Sequence, residues 1–262
     1  MVNLQEQNWI NLFGKYETDS PGWFGTWTYF SPEKEVIKTF QGIRCFQANE
    51  DKTIITHTNN LTFADGNTSS KCWSLEKQSC SQPDGVIHPA LPSMRAIYLS
   101  QNATAGVTQK RETEQSFGAE LFFYYEDRRA SIIQMYNNQG QLERIIKISE
   151  KWGEFPEHPP TETFTQLSGI WSGEKQLITP DLKRSEPEKI EEYTFDQASD
   201  QNQMTLPGGF FCYPQKLISL GEPFEIKAGQ LISEREYKQT TVKYNQSGNF
   251  VQLNFEVFNR KS

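Results

Sequence analysis

The sequence has 262 residues, enough for one large β domain or two small ones, and its 13% aromatic content is typical of pleated, half-buried strands. A net charge of −7 without a dense Lys/Arg cluster argues against nucleic-acid binding. No apolar run reaches the roughly 18 residues that a membrane-spanning helix needs. The N-terminal residues lack a signal-peptide pattern, so we expect a cytoplasmic protein.

A short N-terminal helix is predicted over residues 3–13. Leu4, Trp9 and Phe13 recur near one face at helical spacing, and Gly14 provides a stop. A helix of this length is unstable alone. We therefore expect residues 1–14 to pack over the mouth of a barrel.

Two Gly-x-Trp tripeptides open two strand-like segments. They are Gly25-Thr26-Trp27 and Gly169-Ile170-Trp171. A glycine lets one backbone pass closely under a packed indole, and the tryptophan then fills a barrel end. We expect Gly25, Trp27, Gly169 and Trp171 to be structural residues at equivalent positions of a duplicated barrel.

Alternating and aromatic-rich runs predict antiparallel strands in both halves. In the first half they cover 35–46, 53–58, 95–99, 107–113, 120–125, 130–136 and 142–148, and in the second half 171–178, 188–195, 202–206, 210–213, 224–226, 231–237, 240–244 and 250–258. The polar segment 59–91 is interpreted as mostly loop, with one short strand near 71–75.

A second repeated feature closes each half. Tyr136-Asn137-Asn138-Gln139-Gly140 and Tyr244-Asn245-Gln246-Ser247-Gly248 are both Tyr-Asn-x-x-Gly turns. Between the halves, three prolines within five positions predict a linker. The expected organisation is a helix at 1–14, barrels at 15–152 and 162–262, and a linker at 153–161.

Strong catalytic and metal-binding motifs are missing from the sequence. His57, His88 and His158 lie in different predicted elements, and the four cysteines follow no zinc spacing. No phosphate loop and no Gly-x-Ser-x-Gly elbow occurs. We predict no catalytic residues, no metal and no cofactor, and free buried thiols.

The candidate ligand-binding residues lie in the most aromatic strands of the first half, and they are Phe122, Tyr124, Arg128, Arg129, Tyr136 and Arg144. By alternation, either Phe122 and Tyr124 or the residues beside them must face into the barrel. An inward arginine requires a glutamate partner or an anionic ligand group. The alternatives are outward charges on a solvated face and tyrosines that only pack the core.

Together, the first Gly-x-Trp, the 129–140 hairpin, the Leu206-Pro207-Gly208-Gly209 turn and the 235–248 segment resemble the domain of unknown function 3598 family. The resemblance implies an all-β fold of two tandem lipocalin-like (calycin) antiparallel β-barrels, and no established activity. Lipocalins pair their Gly-x-Trp with a late arginine, for which Arg144 is the first-half candidate. In the second half Gln252 stands at that position.

Three functions remain open at this stage. The first is binding of a hydrophobic or amphipathic small molecule, of pigment or lipid type, in the first barrel under a lid formed by 59–91. The second is a chromophore lyase or isomerase on the same fold. The third is an interaction module whose barrels are filled by side chains. The sequence predicts no particular protein partner.

Overall fold

A computed structural model describes residues 3–156, 166–195 and 203–261, which form two antiparallel sheets and two short helices. The helices are α1 Leu4–Phe13 and α2 Lys77–Cys80. The first sheet contains β1 Trp23–Phe30, β2 Val36–Ala48, β3 Ile54–Thr62, β4 Thr68–Glu76, β5 Ser81–Gln82, β6 Gly85–His88, β7 Leu91–Ser100, β8 Ala103–Thr108, β9 Phe117–Tyr125, β10 Arg128–Tyr136 and β11 Leu142–Trp152. The second contains β12 Ile170–Ile178, β13 Glu188–Thr194, β14 Met204–Leu206, β15 Phe210–Cys212, β16 Phe224–Ser233, β17 Glu236–Tyr244 and β18 Phe250–Arg260.

The first sheet is a nearly closed barrel, and the second is open. The barrel order is β4-β3-β2-β1-β11-β10-β9-β8-β7-β6-β5, and the second sheet runs β13-β12-β18-β17-β16-β15-β14. The all-β prediction is confirmed, but the prediction of a second closed barrel is wrong. The order of the seven strands in the second sheet matches the order β2-β1-β11-β10-β9-β8-β7 in the barrel. The described part of the second half has no counterparts of the barrel strands β3, β4, β5 and β6.

The four strands β3 to β6 include most of the segment interpreted as a loop. The loop interpretation is wrong, because β4, α2, β5 and β6 occupy most of residues 68–88, but the short strand expected near 71–75 is confirmed as part of β4. Polar turns connect the strands: Gly66 adopts φ 83°, and Phe63 N–H donates to Asn67 O at 2.8 Å. These turns join strands of the barrel wall, so the segment 59–91 is part of the wall rather than the expected lid.

The two sheets share their main hydrophobic core. Outward side chains of β7 to β11, such as Leu121 and Ile132, pack with Val242 and Leu253 of the second sheet. By alternation the remaining residues of β9 and β10 face the barrel interior. Each half therefore needs the other to bury the apolar face of its sheet.

The Tyr-Asn-x-x-Gly hairpins dock the halves reciprocally. Ile218 N–H donates to Gly140 O, and Arg111 N–H donates to Gly248 O, both at 2.8 Å. Both glycines have positive φ, 81° and 77°, so each turn depends on glycine. The repeated motif is thus an interface element as well as a turn.

Helix α1 covers one end of the barrel, as expected. Trp9 and Phe13 pack on Ala48, Ile55 and Leu75 at the end where β2 passes into β3. A polar anchor fixes the helix, since Asn8 Oδ1 accepts from Tyr98 N at 2.9 Å and its amide donates to Ala96 O. Neither described helix has the length and apolar character required to cross a membrane.

The two Gly-x-Trp motifs are not equivalent in register. Trp23 lies opposite Trp152, and Gly25 opposite Glu150. In the second sheet Trp171 lies opposite Arg260, and Gly173 opposite Phe258. When the β10–β11 and β17–β18 hairpins are aligned on Tyr136 and Tyr244, Trp152 corresponds to Arg260. Trp171, the partner of Arg260, therefore corresponds to Trp23, the partner of Trp152.

Trp27 and Trp171 are both buried, but the predicted equivalence between them is wrong. The bulge between Trp171 and Gly173 affects only the pairing with β13, whereas the pairing with β18 is regular. Gly169 precedes β12 with φ 103°. The repeated unit is therefore Trp-x-Gly, in which the glycine lies against the neighbouring backbone.

We expect Gly25→Ala and Gly173→Ala to destabilise the protein by similar amounts. A Cβ would lie 2.0 Å from Ser149 O at Gly25 and 2.2 Å from Val257 O at Gly173, so the backbone must shift. Each substitution should lower the free energy of unfolding by about 1–3 kcal/mol, measured by urea denaturation. Gly106→Ala is the matched control, because its Cβ meets only ordinary contacts from 3.4 Å. A smaller effect at Gly25 than at Gly106 would contradict this packing.

Candidate ligand-binding cavity

A cavity of about 310 Å³ lies inside the barrel. Its position follows from alternation, since inward residues of β1 to β4 and β6 to β11 line it while their neighbours face outward. Its aromatic lining comprises Phe13, Tyr16, Trp27, Phe46, Trp73, Phe122 and Tyr124. This apolar enclosure is typical of sites for small organic ligands.

A charged network, which we call the polar belt, crosses the barrel interior; it consists of Arg44, Glu120, Arg129, Ser131 and Glu150. Arg129 Nε donates to Glu150 Oε2 at 2.7 Å. Arg44 Nη1 donates to Glu120 Oε1 at 3.3 Å, and Ser131 Oγ donates to the same oxygen at 2.8 Å. The Arg129 and Glu150 side chains are 3% and 0% exposed, so both ions depend on pairing.

Strand register creates the central pair. Arg129 and Glu150 are direct partners across β10 and β11. Gly25 faces Glu150 from β1, where a side chain would collide with the β11 backbone. The glycine therefore makes room for the glutamate, and the glutamate compensates the inward arginine.

Aromatic rings cover the guanidinium groups. Arg129 lies 4.4 Å from the Trp23 ring centroid, and Arg44 lies 5.4 Å from that of Trp27. Both also approach Phe122, at 5.5 and 5.6 Å. Cation–π attraction of this kind contributes on the order of 1 kcal/mol per contact. The rings fix the arginines where solvent is excluded.

Two histidines that are distant in the sequence meet beside the cavity. His57 Nδ1 and His88 Nε2 are 2.7 Å apart. His88 Nδ1 accepts from Ala90 N–H at 3.1 Å, so His88 carries its proton on Nε2 and donates to His57. His57 Nε2 then donates to Asn59 Oδ1 at 3.0 Å. All four ring nitrogens are hydrogen-bonded in this neutral arrangement.

Burial, followed by the neighbouring charge of Arg44, lowers the pKa of His88 to about 4. Burial, and then His88 and Arg44, lower the pKa of His57 well below its usual value. Both imidazoles are thus neutral at pH 7. Their hydrogen bond links strand β3, which carries His57, with strand β6, which carries His88. These two strands lie next to the edge strands β4 and β5 of the sheet.

A third cation lies next to the belt. The Lys15 ammonium is 5.0 to 5.3 Å from the ring centroids of Tyr16, Trp23 and Tyr124. Although Lys15 is an exposed residue, these rings shield its ammonium. Burial and then Arg129 lower the Lys15 pKa to about 8. It remains mostly protonated at neutral pH.

The six candidate ligand residues are not brought together. Phe122, Tyr124 and Arg129 line the cavity. Tyr136 lies in the core between the sheets, stacked on Phe117 at 5.0 Å. Arg144 bonds to Glu143 and lies 5.8 Å from the Tyr29 ring rather than on a Gly-x-Trp indole.

Arg128 is exposed and lines a different space, an open groove of about 420 Å³ between the sheets, which Arg129 and Glu150 also border. Gly208 and Phe210 lie on the other side of this groove, so the Pro207-Gly208-Gly209 turn faces it. The groove is larger than the barrel cavity, and exposed residues border both spaces, Glu126 the groove and Leu91 the cavity. The barrel cavity has the more aromatic lining and is therefore the better candidate site.

Sequence reasoning missed Arg44, Glu120, Glu150 and the histidine pair. One signal was present: by alternation Glu150 shares a strand face with Ile146 and Ile148, and a charge on an apolar face requires a partner. Within the described ranges no group of three His, Cys, Asp or Glu side chains is placed to hold a metal ion. His158 lies outside the described residues. All four cysteines lie within them as free thiols, as predicted, but Cys72 is exposed and Cys45 is half-buried, so the prediction of burial is correct only for Cys80 and Cys212.

We expect Glu150→Leu to destabilise the protein strongly, because it leaves Arg129 buried without its partner. The cost should be about 3–5 kcal/mol in urea denaturation. The control is Arg129→Tyr combined with Glu150→Phe, since Tyr237 and Phe258 are paired at the corresponding positions of β17 and β18. This double variant should recover at least about 2 kcal/mol of that loss. A double variant less stable than Glu150→Leu would contradict the correspondence.

The histidine pair predicts a loss of stability in acid. Both folded pKa values lie below the unfolded value of about 6.5, so the unfolded chain binds more protons as the pH falls towards 4. Between pH 6.5 and 4 the free energy of unfolding should fall by about 1–3 kcal/mol more in the wild type than in a His57→Gln/His88→Gln variant. Parallel curves for the two proteins would exclude the neutral pair.

Comparison with solved structures supports the fold. The chain is similar to a crystal structure of a protein of unknown function from the DUF3598 family of Nostoc punctiforme PCC 73102, at 16% identity and a TM-score of 0.70, with 100% of both chains covered. Kievitone hydratase from Nectria haematococca is 9% identical with a TM-score of 0.22, covering 100% of this chain and 93% of that one. That TM-score is too low to carry an inference.

No curated protein matches the chain. The family model described as "Domain of unknown function (DUF3598), N-terminal" matches residues 5–155, which is more than half of the sequence and spans α1 and the whole barrel. The chain therefore belongs to the DUF3598 family.

Proposed function

We propose that the protein binds a hydrophobic or amphipathic small molecule, of pigment or lipid type, inside the eleven-stranded barrel. The observation that carries the proposal is the 310 Å³ cavity with an aromatic lining and a polar belt. Apolar enclosure with a few fixed polar groups is the usual composition of a small-molecule site. In architectural terms we infer a lipocalin-like binding barrel buttressed by the second sheet.

The cavity argues against a barrel filled by its own side chains. Aromatic rings line the space without closing it, and Gly106 leaves room between Met94 and Glu120. The histidine pair argues against an enzyme that uses it as a base, because its four ring nitrogens already have partners. A binding protein thus agrees best with the site.

Titration with N-phenyl-1-naphthylamine, an uncharged apolar fluorophore, tests the proposal. The wild type should enhance its fluorescence saturably, and Gly106→Phe should weaken binding at least about tenfold because the ring occupies the cavity. Gly106→Ala is the matched control for the backbone change. Gln230→Trp obstructs the groove between the sheets and should leave the affinity unchanged. Loss of binding in Gln230→Trp with full binding in Gly106→Phe would refute the barrel site.

A further inference from the structure

We propose that the ligand is a small aromatic or aliphatic monocarboxylic acid, and that Arg129 Nη2 donates to its carboxylate within the polar belt. This inference rests on the proposed function and adds the chemical class of the ligand. It follows from unused donors, from the charge around the cavity and from a comparison between the two sheets.

One buried donor of the belt is left without a partner. Two guanidinium groups offer ten N–H bonds to the two carboxylates and one hydroxyl that face them. Arg129 Nη2 is shielded from solvent and has no hydrogen-bond partner among the described residues. Arg44 Nε and Glu150 Oε1 face each other at 3.3 Å without a hydrogen bond, so this donor and this acceptor are both unpaired, whereas Arg129 Nη2 has no such unpaired acceptor assigned to it in the described part of the chain. A buried guanidinium with an unpaired N–H is costly, and an additional acceptor would remove that cost.

The charge around the cavity favours one negative group. Arg44, Arg129 and Lys15 contribute three positive charges, and Glu120 and Glu150 contribute two negative ones. Arg95 also lines the cavity, but Asp84 pairs with it at 2.9 Å and neutralises it. The adjacent histidines are neutral at pH 7. The balance is one positive charge, which a single carboxylate neutralises. A carboxylate accepts charge-assisted hydrogen bonds from arginine more strongly than a neutral amide does.

The second sheet shows that the fold does not require an ion pair at this position. Tyr237 and Phe258 occupy the register of Arg129 and Glu150, and their rings stack at 6.2 Å. Replacing buried ion pairs with packed apolar residues is commonly neutral or stabilising. The charged pair therefore occurs in the half that has the barrel cavity, and its arginine is part of the cavity lining.

Cavity volume limits the rest of the ligand. At 310 Å³ it lies near the lower end of the range of about 300–1,000 Å³ for small-molecule sites. Phe46, Trp73 and Phe122 line the space beside the belt. This favours a compact ring system or a short chain over a tetrapyrrole or a carotenoid.

Paired titrations of the full-length protein with 2-naphthoate and 2-naphthamide test the inference. The two probes have the same shape and differ in charge, so calorimetry measures the contribution of the carboxylate. Wild type should bind the acid at least tenfold more tightly than the amide, equivalent to about 1.4 kcal/mol. Arg129→Tyr/Glu150→Phe should lose this preference, and Arg128→Gln, a neighbouring exposed arginine, should keep it.

Equal affinities for acid and amide, or a preference retained in the double variant, would overturn the inference. The proposed function would still stand if N-phenyl-1-naphthylamine bound. Carbon-13 NMR of carboxyl-labelled 2-naphthoate gives a second readout that needs no variant. The pKa of the bound carboxyl should fall below that of the free acid, because the guanidinium favours the charged form. An unchanged or raised pKa would also overturn it.

Discussion

The Arg129–Glu150 ion pair is the interaction on which the barrel interior depends. Arginine cannot be neutralised by losing its proton under ordinary conditions, so the inward Arg129 requires a negative partner. The register of β10 and β11 provides Glu150, and Gly25 provides the space for it. Arg44 then links this pair to Glu120, and Trp23 and Trp27 cover the two guanidinium groups. The buried charge of Arg129 thus accounts for the residues that surround it on the neighbouring strands.

The second sheet has a different role from the one that an internal repeat suggests. It keeps the pairing order of the barrel wall but lacks four strands in its described part, so it does not close. It covers the outer apolar face of β7 to β11, and the two glycine hairpins hold it there. Stacked rings replace the ion pair at the corresponding positions. The half without the closed barrel therefore stabilises the wall of the half that has it.

Local chemistry predicted much of this structure. Helical spacing indicated α1, alternation indicated most strands, and Tyr-Asn-x-x-Gly marked both closing hairpins. The requirement for a partner predicted a glutamate or an anionic ligand group for an inward arginine, and Arg129 has the glutamate. The sequence has 33 acidic residues, and the register of the strands decides which of them becomes the partner of Arg129. This register is fixed only by the complete sheet. The same limit applies to the pair His57 and His88, which come from strands that are not adjacent.

The strands within the polar segment 59–91 escape a local pattern for a related reason. Exposed strands such as β4 alternate weakly, and their turn residues resemble those of loops. Their strand character comes from pairing with β3, which a local pattern does not contain. A local pattern also does not show that Trp171 corresponds to Trp23 rather than to Trp27. Only the pairing of β1 with β11 and of β12 with β18 shows this.

A crystal structure of the full-length protein grown with 2-naphthoate tests the central claim most directly. We expect electron density for the naphthalene ring between Phe46, Trp73 and Phe122, with the carboxylate at hydrogen-bond distance from Arg129 Nη2. Density confined to the groove beside Arg128 and Gly208, with an empty barrel, would contradict the account.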